Sequence, residues 1–365
     1  MTKAGFLRAS KHSLKCLANI INNMADDLRE KLKILEKRKK SKKEVAFDTI
    51  KGILPFFAYL ISLAEYVFIK NKYQNDYPHR YVILLTVGIT IYAFFLIKSL
   101  IIKKSKNDDS QYQKIIKKSP WIVAIYLFLS IFDYLTLKTG ILMYPFIPWV
   151  NDIINIIIED YKNLGISALY SLRLLFIGYF IGVFFGLITG ILCGYNEKVK
   201  YWINPILKIL GPIPTATWIP LIMIVAASLF AGSIFIISLG VWFAVSTATM
   251  IGISNVDKSY YEVAKTLGAS DTELIFKVAV PCAMPNILQG MTQGMSSACI
   301  SLMIAEMLGV KAGLGWYITW SQAWASYNKM FAAIIIICIV FNLVAMTLEK
   351  IKKYLLRWQV EQVNE

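Results

Sequence analysis

Runs of about 20 apolar residues, the length that crosses the hydrocarbon of a bilayer, recur along this chain and constrain its fold more than any other feature. We place eight of them, at residues 52–69, 81–102, 121–137, 165–194, 206–231, 234–253, 287–308 and 331–348. Hydrophobic residues make up 57% of the chain and charged residues 17%, which fits a polytopic membrane protein and not a soluble core. In lipid each spanning segment must satisfy its own backbone polar groups. The expected fold is therefore all-α: a membrane bundle of about eight transmembrane helices. The first 50 residues are polar and basic, so no cleavable leader is expected there.

The net charge of +16 is not spread evenly. If the N-terminus is cytoplasmic, eight crossings return the C-terminus to the cytoplasm. On that count 30 of the 39 Lys and Arg fall on cytoplasmic segments or span edges and seven fall outside, leaving Lys98 and Arg173 within spans. This is the positive-inside bias, and it points to a multi-pass cell-membrane protein with both termini cytoplasmic. It also accounts for the charge without nucleic acid. The five Cys (16, 193, 282, 299 and 338) and the two His (12 and 79) show no metal or disulfide spacing.

Four regions are expected. Residues 1–50 form a basic cytoplasmic helical segment. Leu14, Leu17, Ile21, Met24, Leu28 and Leu35 share one stripe of it, ahead of a Lys/Arg run at 37–43. A coiled coil, a helix on anionic lipid and a solvated helix all fit that pattern. Residues 51–118 hold two additional spans and a basic inner loop at 103–118. Residues 119–358 form the working core, in which Gly and Pro interrupt the apolar runs, and residues 359–365 form a cytoplasmic tail. Before the core's long span, an outer segment at 143–163 carries an Ile-rich stretch that could lie in the interface.

Within the core, Gly178, Gly182, Gly186, Gly190 and Gly194 recur every fourth residue. They form a seam where another helix can approach backbone to backbone. Arg173 precedes the seam; a side chain snorkelling outward or paired with Glu306 or an outer acid explains it more simply than substrate contact. The run Gly-Pro-Ile-Pro-Thr-Ala-Thr-Trp-Ile-Pro at 211–220 removes donors and must break its span. Irregular backbone at membrane depth is tolerated where protein buries it or water lines it. Pro214, Trp218 and Pro220, with Arg173 and Glu306, are therefore candidates for a translocation path; a simple hinge is the alternative for the prolines.

Residues 255–286 are polar between apolar runs. Ser259 with Glu262, and Ser270 with Glu273, have capping-box spacing. Gly268 sits where a first helix must stop, and Pro281 is placed to end a second. Lys258, Lys265 and Lys277 are balanced by Asp257, Glu262, Asp271 and Glu273. A helix–turn–helix reading for DNA would need a net positive surface, so a rigid handle for a protein groove fits better.

No phosphate-binding loop, zinc helix or nucleophile elbow is present in the sequence. Glu65, Asp133 and Glu306 are far apart along it and read as isolated, so an enzyme is not expected, and neither is a cofactor within this chain.

On these residues, 119–358 resemble the membrane subunit of a type I ABC importer. Glu262, Ala264, Gly268, Val278, Val280 and Pro281 fall at the spacings of that family's cytoplasmic "EAA" loop, with Val263 replacing the middle Ala. Ala269 lies in the same turn. Pro212-Ile213-Pro214 with Thr217-Trp218-Ile219-Pro220-Leu221, then Ala305-Glu306-Met307 with Gly313-Leu314-Gly315, and Ser171-Leu172-Arg173 are similar to the nitrate/sulfonate/taurine branch. Gly211 and Thr217 depart from it, standing where the branch often has Arg and Ala. The resemblance implies a permease subunit paired with a second copy or homologue. It also implies cytoplasmic ATPase subunits, which bind the ATP and Mg, and an extracytoplasmic solute-binding protein that docks near 310–329. It leaves residues 1–118 unexplained. The competing reading is an ion-coupled secondary transporter or channel, which needs intramembrane ionisable groups.

Overall fold

The computed structural model describes residues 42–106, 110–211, 213–308 and 310–357. The head stripe from Leu14 to Leu35, most of the basic run after it, His12, Cys16, Pro212 and the 359–365 tail lie outside them. Every regular element among the described residues is helical. The chain divides into two compact units. One takes the described residues up to Ala64 with Leu85–Phe128; the other takes Glu65–Leu84 and the residues from Leu129 onward.

The first unit is built from most of α1 (Lys42–Phe68), α2 (His79–Lys106) and α3 (Ser110–Asp133). Hydroxyls link these helices where lipid offers no hydrogen bonds. Tyr92 donates to Gly52 O at 2.9 Å, Tyr126 to Leu85 O at 2.9 Å and Ser62 to Tyr126 O at 3.1 Å. The expected inner loop at 103–118 is largely helix, since α2 runs to Lys106 and α3 resumes at Ser110. Lysine is a good helix former, so charge alone did not end these helices.

In the second unit α3 passes into a π turn, Tyr134–Lys138, followed by α4 (Val150–Glu159) and the long α5 (Tyr161–Tyr195). α4 does more than lie flat. Its buried Asn151 and Asn155 hold the 75–81 segment, accepting from Tyr81 N (3.1 Å) and Arg80 (2.9 Å) and donating to Asn75 and Asp76. Next come α6 (Glu197–Leu210), a 3-10 turn (Thr215–Trp218), α7 (Ile219–Val225) and α8 (Leu229–Ser254). Then follow α9 (Lys258–Thr266), the single turn α10 (Asp271–Glu273), a π stretch (Leu274–Ala279), α11 (Val280–Leu308), α12 (Leu314–Ala323) and α13 (Tyr327–Leu355).

The glycines of α5 set the core. A Cβ at Gly178, Gly182, Gly186, Gly190 or Gly194 would come within 2.8 Å of the Cβ of Ile237, Val241, Val245, Thr249 or Ile253 respectively. Each pair is offset by the same 59 residues, so α5 and α8 run parallel in close contact. Leu174, Leu175, Ile237, Val241, Val245 and Leu302 are buried around this seam. α11 packs on α8 in the opposite sense. Gly252 faces Asn286, Gly290 faces Ala248, and Gly240 faces Ser297.

Parallel packing decides the number of crossings. Among the described residues seven helices are long and apolar enough to span, and the pair 197–210 and 215–222, bent by 88°, would be an eighth. α5 ends beside the C-terminal end of α8, so the chain must return about 24 Å along the seam before α8 can begin. Only residues 196–228 can make that return. The expected fifth span therefore crosses as a broken helix, the amphipathic α6 and short α7 meeting at the proline-rich turn. Proline removes donors there, so a straight helix could not form.

Candidate functional site: the 255–281 loop and the mid-helix cavity

The loop starts with a correction. Ser259 does not cap α9. Asp257 does, with its carboxylate accepting from Ser259 N at 2.9 Å. A charged acceptor at a helix N-terminus also meets the positive end of the dipole. The backbone N–H of Ser259 holds the Asp257 carboxyl below the usual aspartate range. Glu262 thus has no box with Ser259 and is exposed. The second box is formed: Glu273 accepts the Ser270 N–H at 3.0 Å and the Ser270 hydroxyl at 3.0 Å, and Lys277 pairs with it at 2.8 Å.

Between them Gly268 adopts φ +85°. Its N–H donates to Lys265 O at 2.9 Å, and Ala269 N–H donates to Ala264 O at 3.1 Å. This is a Schellman turn, which closes the orphan carbonyls of α9. It gives Ala264, Gly268 and Ala269 one shared structural role.

Pro281 does not end the second helix, which continues from Asp271 to Leu308. The π stretch at 274–279 explains this. Val280 N–H bonds to Ile275 O, five residues back. The widened turn just before Pro281 takes up the missing donor and ring bulk that would break a regular α-helix.

Sequence reasoning missed the loop's apolar face. Tyr260, Val263 and Leu267 follow one another at helical spacing and are exposed, Leu267 by 83%, with Phe276 exposed nearby. The opposite side is anchored. Tyr261 packs against the cluster of Ile253, Ala279, Ala283 and Ile287, its ring 6.3 Å from that of Tyr195, and Tyr195 OH donates to Asp271 at 3.3 Å. A firmly held polar segment therefore presents an uncovered hydrophobic stripe beside Glu262, the pattern of a helix shaped for a groove.

A second feature lies at the break between α6 and α7. Pro214 and Trp218 line a cavity of about 250 Å³ with Thr215, Trp242, Phe243 and Ser297. Thr215 and Ser301 share a 2.7 Å hydrogen bond at its wall. Gly240, midway along α8, admits Thr215 to 3.2 Å of where its Cβ would stand. Pro220 lies just beyond, in the first turn of α7, where a missing N–H costs nothing.

Beside the cavity α11 exposes Asn286, Gln289, Gln293, Ser296 and Ile300, at alternating steps of three and four residues along one face. Gln289 accepts from Lys352. An amide left in hydrocarbon without a partner costs several kcal/mol. This face therefore needs protein or water over it. The signal was readable as polar residues at a 3.5-residue period inside an apolar run.

Arg173 and Glu306 do not join the cavity or each other. Arg173 lies over the Phe230 ring at 5.7 Å. Glu306 is buried, accepts from Ser171 Oγ at 2.9 Å and Gly315 N at 2.8 Å, and wraps the turn at Gly313, whose φ is +112°. Ser171 Oγ also accepts from Leu314 N at 2.8 Å. Glu306 thus caps the start of α12 and ties it to α5 and α11.

Glu65 and Asp133 are not isolated either. The fold brings them, with Lys138, into one electrostatic group.

Residues 182–352 match the family described as the binding-protein-dependent transport system inner membrane component. A putative ABC transporter permease protein of Methanocaldococcus jannaschii is 29% identical over 39% of this chain and 55% of its own length. The nitrate import permease protein NrtB of Synechococcus elongatus is 24% identical over 46% of this chain and 63% of its own. The putative aliphatic sulfonates transport permease protein SsuC of Bacillus subtilis is 32% identical over 46% and 61%. The chain thus spans less than two thirds of the length of each of these relatives. The matched family is a transport family, not an enzyme family, and its segment takes in the glycine seam from Gly182, the broken span, the 255–281 loop and the α11–α12 turn. Over this segment the chain is similar to the inner membrane component of binding-protein-dependent transport systems, and its long apolar helices fit a protein that crosses the membrane many times.

Proposed function

We propose that this chain is the membrane-spanning subunit of an ATP-driven importer, and that residues 255–281 receive the force. The observation that carries this is the exposed stripe of Tyr260, Val263 and Leu267 on a helix fixed by a Schellman turn. In this reading the stripe and Glu262 sit in a groove of a separate cytoplasmic ATPase subunit, which holds the ATP and Mg. The capped, glycine-turned loop is stiff enough to pass the ATPase's closure to α8 and α11, which flank it. The loop is then cytoplasmic, which agrees with the positive-inside count and puts both termini on that side.

The polar face of α11 and the cavity at Pro214 and Trp218 would line the solute path, completed by a second permease subunit, the same chain or a homologue. A solute-binding protein would deliver at the opposite end, near α12. The solute is a small compound of the nitrate, sulfonate or taurine kind, in line with the names of the similar permeases. The first two spans form an added membrane element, and no nucleic acid is involved.

The test is co-purification of the ATPase from detergent-solubilised membranes. The wild-type chain retains it. Leu267→Asp, on a side chain already in water, loses it with the fold intact. Retention of the ATPase by Leu267→Asp would remove the stripe from the contact. Among the described residues the ion-coupled alternative draws on the buried ionisable group at Glu65, Asp133 and Lys138, which lies outside the matched segment, whereas the buried Glu306 within it is engaged in holding the α11–α12 turn.

A further inference from the structure

We propose that Asp133 and Glu65 together form a proton-binding site in the helices that precede the matched transport segment. Asp133 ends α3 and is fully buried, and neither of its carboxylate oxygens has a hydrogen-bond partner. Glu65 Oε1 is likewise buried and unpartnered, while Oε2 takes a single 3.3 Å bond from Ser130. Ser130 and Asp133 stand one turn apart on α3, which places both acids at one level.

Lys138 is the neighbouring cation, but its protons are spoken for. Nζ donates to Tyr66 O at 2.7 Å, Ile69 O at 2.8 Å and Asn71 Oδ1 at 2.7 Å. An ammonium has three donors, so none is left for either carboxylate. Two ionised acids against one ammonium would leave a net negative charge in a buried place, where an unpaired carboxylate is costly. One proton taken from water onto a carboxylate oxygen brings the group to neutrality and turns an orphan acceptor into a donor. A metal ion is a poorer fit, because no cluster of three or more His, Cys, Asp or Glu occurs among the described residues.

The surroundings support a built site. Asp133 directly precedes the π turn Tyr134–Lys138, and such turns cluster at functional positions. The titratable groups facing Asp133 are Glu65 and Tyr66 from α1 and Lys138 from the π turn. The Tyr66 ring packs at a tilt on Tyr81, centroids 4.8 Å apart, and its hydroxyl donates to Pro78 O at 2.9 Å and accepts from Asn75 at 2.8 Å. Intramembrane ionisable residues mark function by default. Here the function is a pH-responsive joint between the added helices and water.

The test uses the full chain in lipid nanodiscs, with infrared spectroscopy and thermal unfolding across pH. Wild type shows the carbonyl band of a protonated carboxylic acid at neutral pH, and Asp133→Asn removes that share of it. Glu306→Gln, at the other buried acid, leaves the Asp133 share unchanged, which keeps the two acids distinguishable. Glu65→Gln leaves Asp133 alone with Lys138, and the Asp133 band disappears as Asp133 ionises. Loss of that proton at high pH leaves the buried pair charged, so raising the pH lowers the wild-type melting temperature. Asp133→Asn, a mimic of the protonated acid, abolishes that fall. The proposal is overturned by a wild-type spectrum with no band lost in Asp133→Asn, by a variant that follows the wild-type pH curve, or by stability that tracks sodium instead of pH.

Discussion

Replacing Gly268 isolates the conformational requirement of the loop. Its φ of +85° lies in the left-handed region, and an added Cβ would meet nothing within 4 Å. Any penalty is therefore conformational and not steric. For an ordinary L-residue that region costs roughly 1–2 kcal/mol, a factor of about 5–30 in the population of the formed turn. Asn tolerates the region far better than Ala, and a β-branched residue is worst. The expected order of function is Gly, then Asn, then Ala, then Val. Asn and Val are close in size, so a steric account predicts no gap between them. The assay is twofold: exchange of the Gly268 and Ala269 amide hydrogens, which report the two bonds of the turn, and ATP-driven uptake in vesicles containing the partner subunits. Asn retaining most protection and uptake while Val loses both agrees with the reasoning. Equal loss in the two, or an unimpaired Val variant, refutes it.

Gly190→Leu places its Cβ 2.5 Å from that of Thr249, and overpacking of about 1–3 kcal/mol should lower the detergent melting temperature; Gly165→Ala, with open space around it, should not lower it and, as the better helix former, should raise it slightly. Glu306→Ala strands the Gly315 N–H and Ser171, a loss of about 1–3 kcal/mol, whereas Glu306→Gln keeps an acceptor and should lose less; limited proteolysis at 309–314 reads the difference. Because the Ser259 N–H holds the Asp257 carboxyl low, the α9 cap is fully present above the ordinary aspartate value. It is lost as pH falls through the lower folded value, and Asp257→Asn should make α9 amide exchange independent of pH in that acid range.

Much of the membrane architecture is legible in the sequence, because a helix in lipid must carry its apolar run and its own hydrogen bonds. The proline cluster at 212–220 likewise announces a broken crossing. What is not legible is pairing. The α5 glycines advertise a close partner, but nothing within α5 says whether α8 runs parallel to it. The constant offset between Gly178–Gly194 and Ile237–Ile253 emerges only in the fold. The loop's first cap is ambiguous in the sequence, because two capping residues compete for it. Asp257 and Ser259 stand two positions apart, and the charged acceptor takes the cap. Pro281 was misread because a π turn can absorb a proline that an α-helix cannot. Glu65 and Asp133 sit on different helices, so their meeting leaves no local pattern. The stripe of Tyr260, Val263 and Leu267 was present in the sequence but masked by the charged residues between its members.

Under the proposed function, solute movement through this chain is driven by a separate ATPase subunit. Accumulation of a candidate nitrate- or sulfonate-like solute, measured in vesicles that hold the chain, its partner ATPase and the binding protein, tests this most directly. The account predicts accumulation that requires ATP, persists when ion gradients are collapsed, and is lost in Leu267→Asp. Accumulation driven by an ion gradient in vesicles without the ATPase would contradict it.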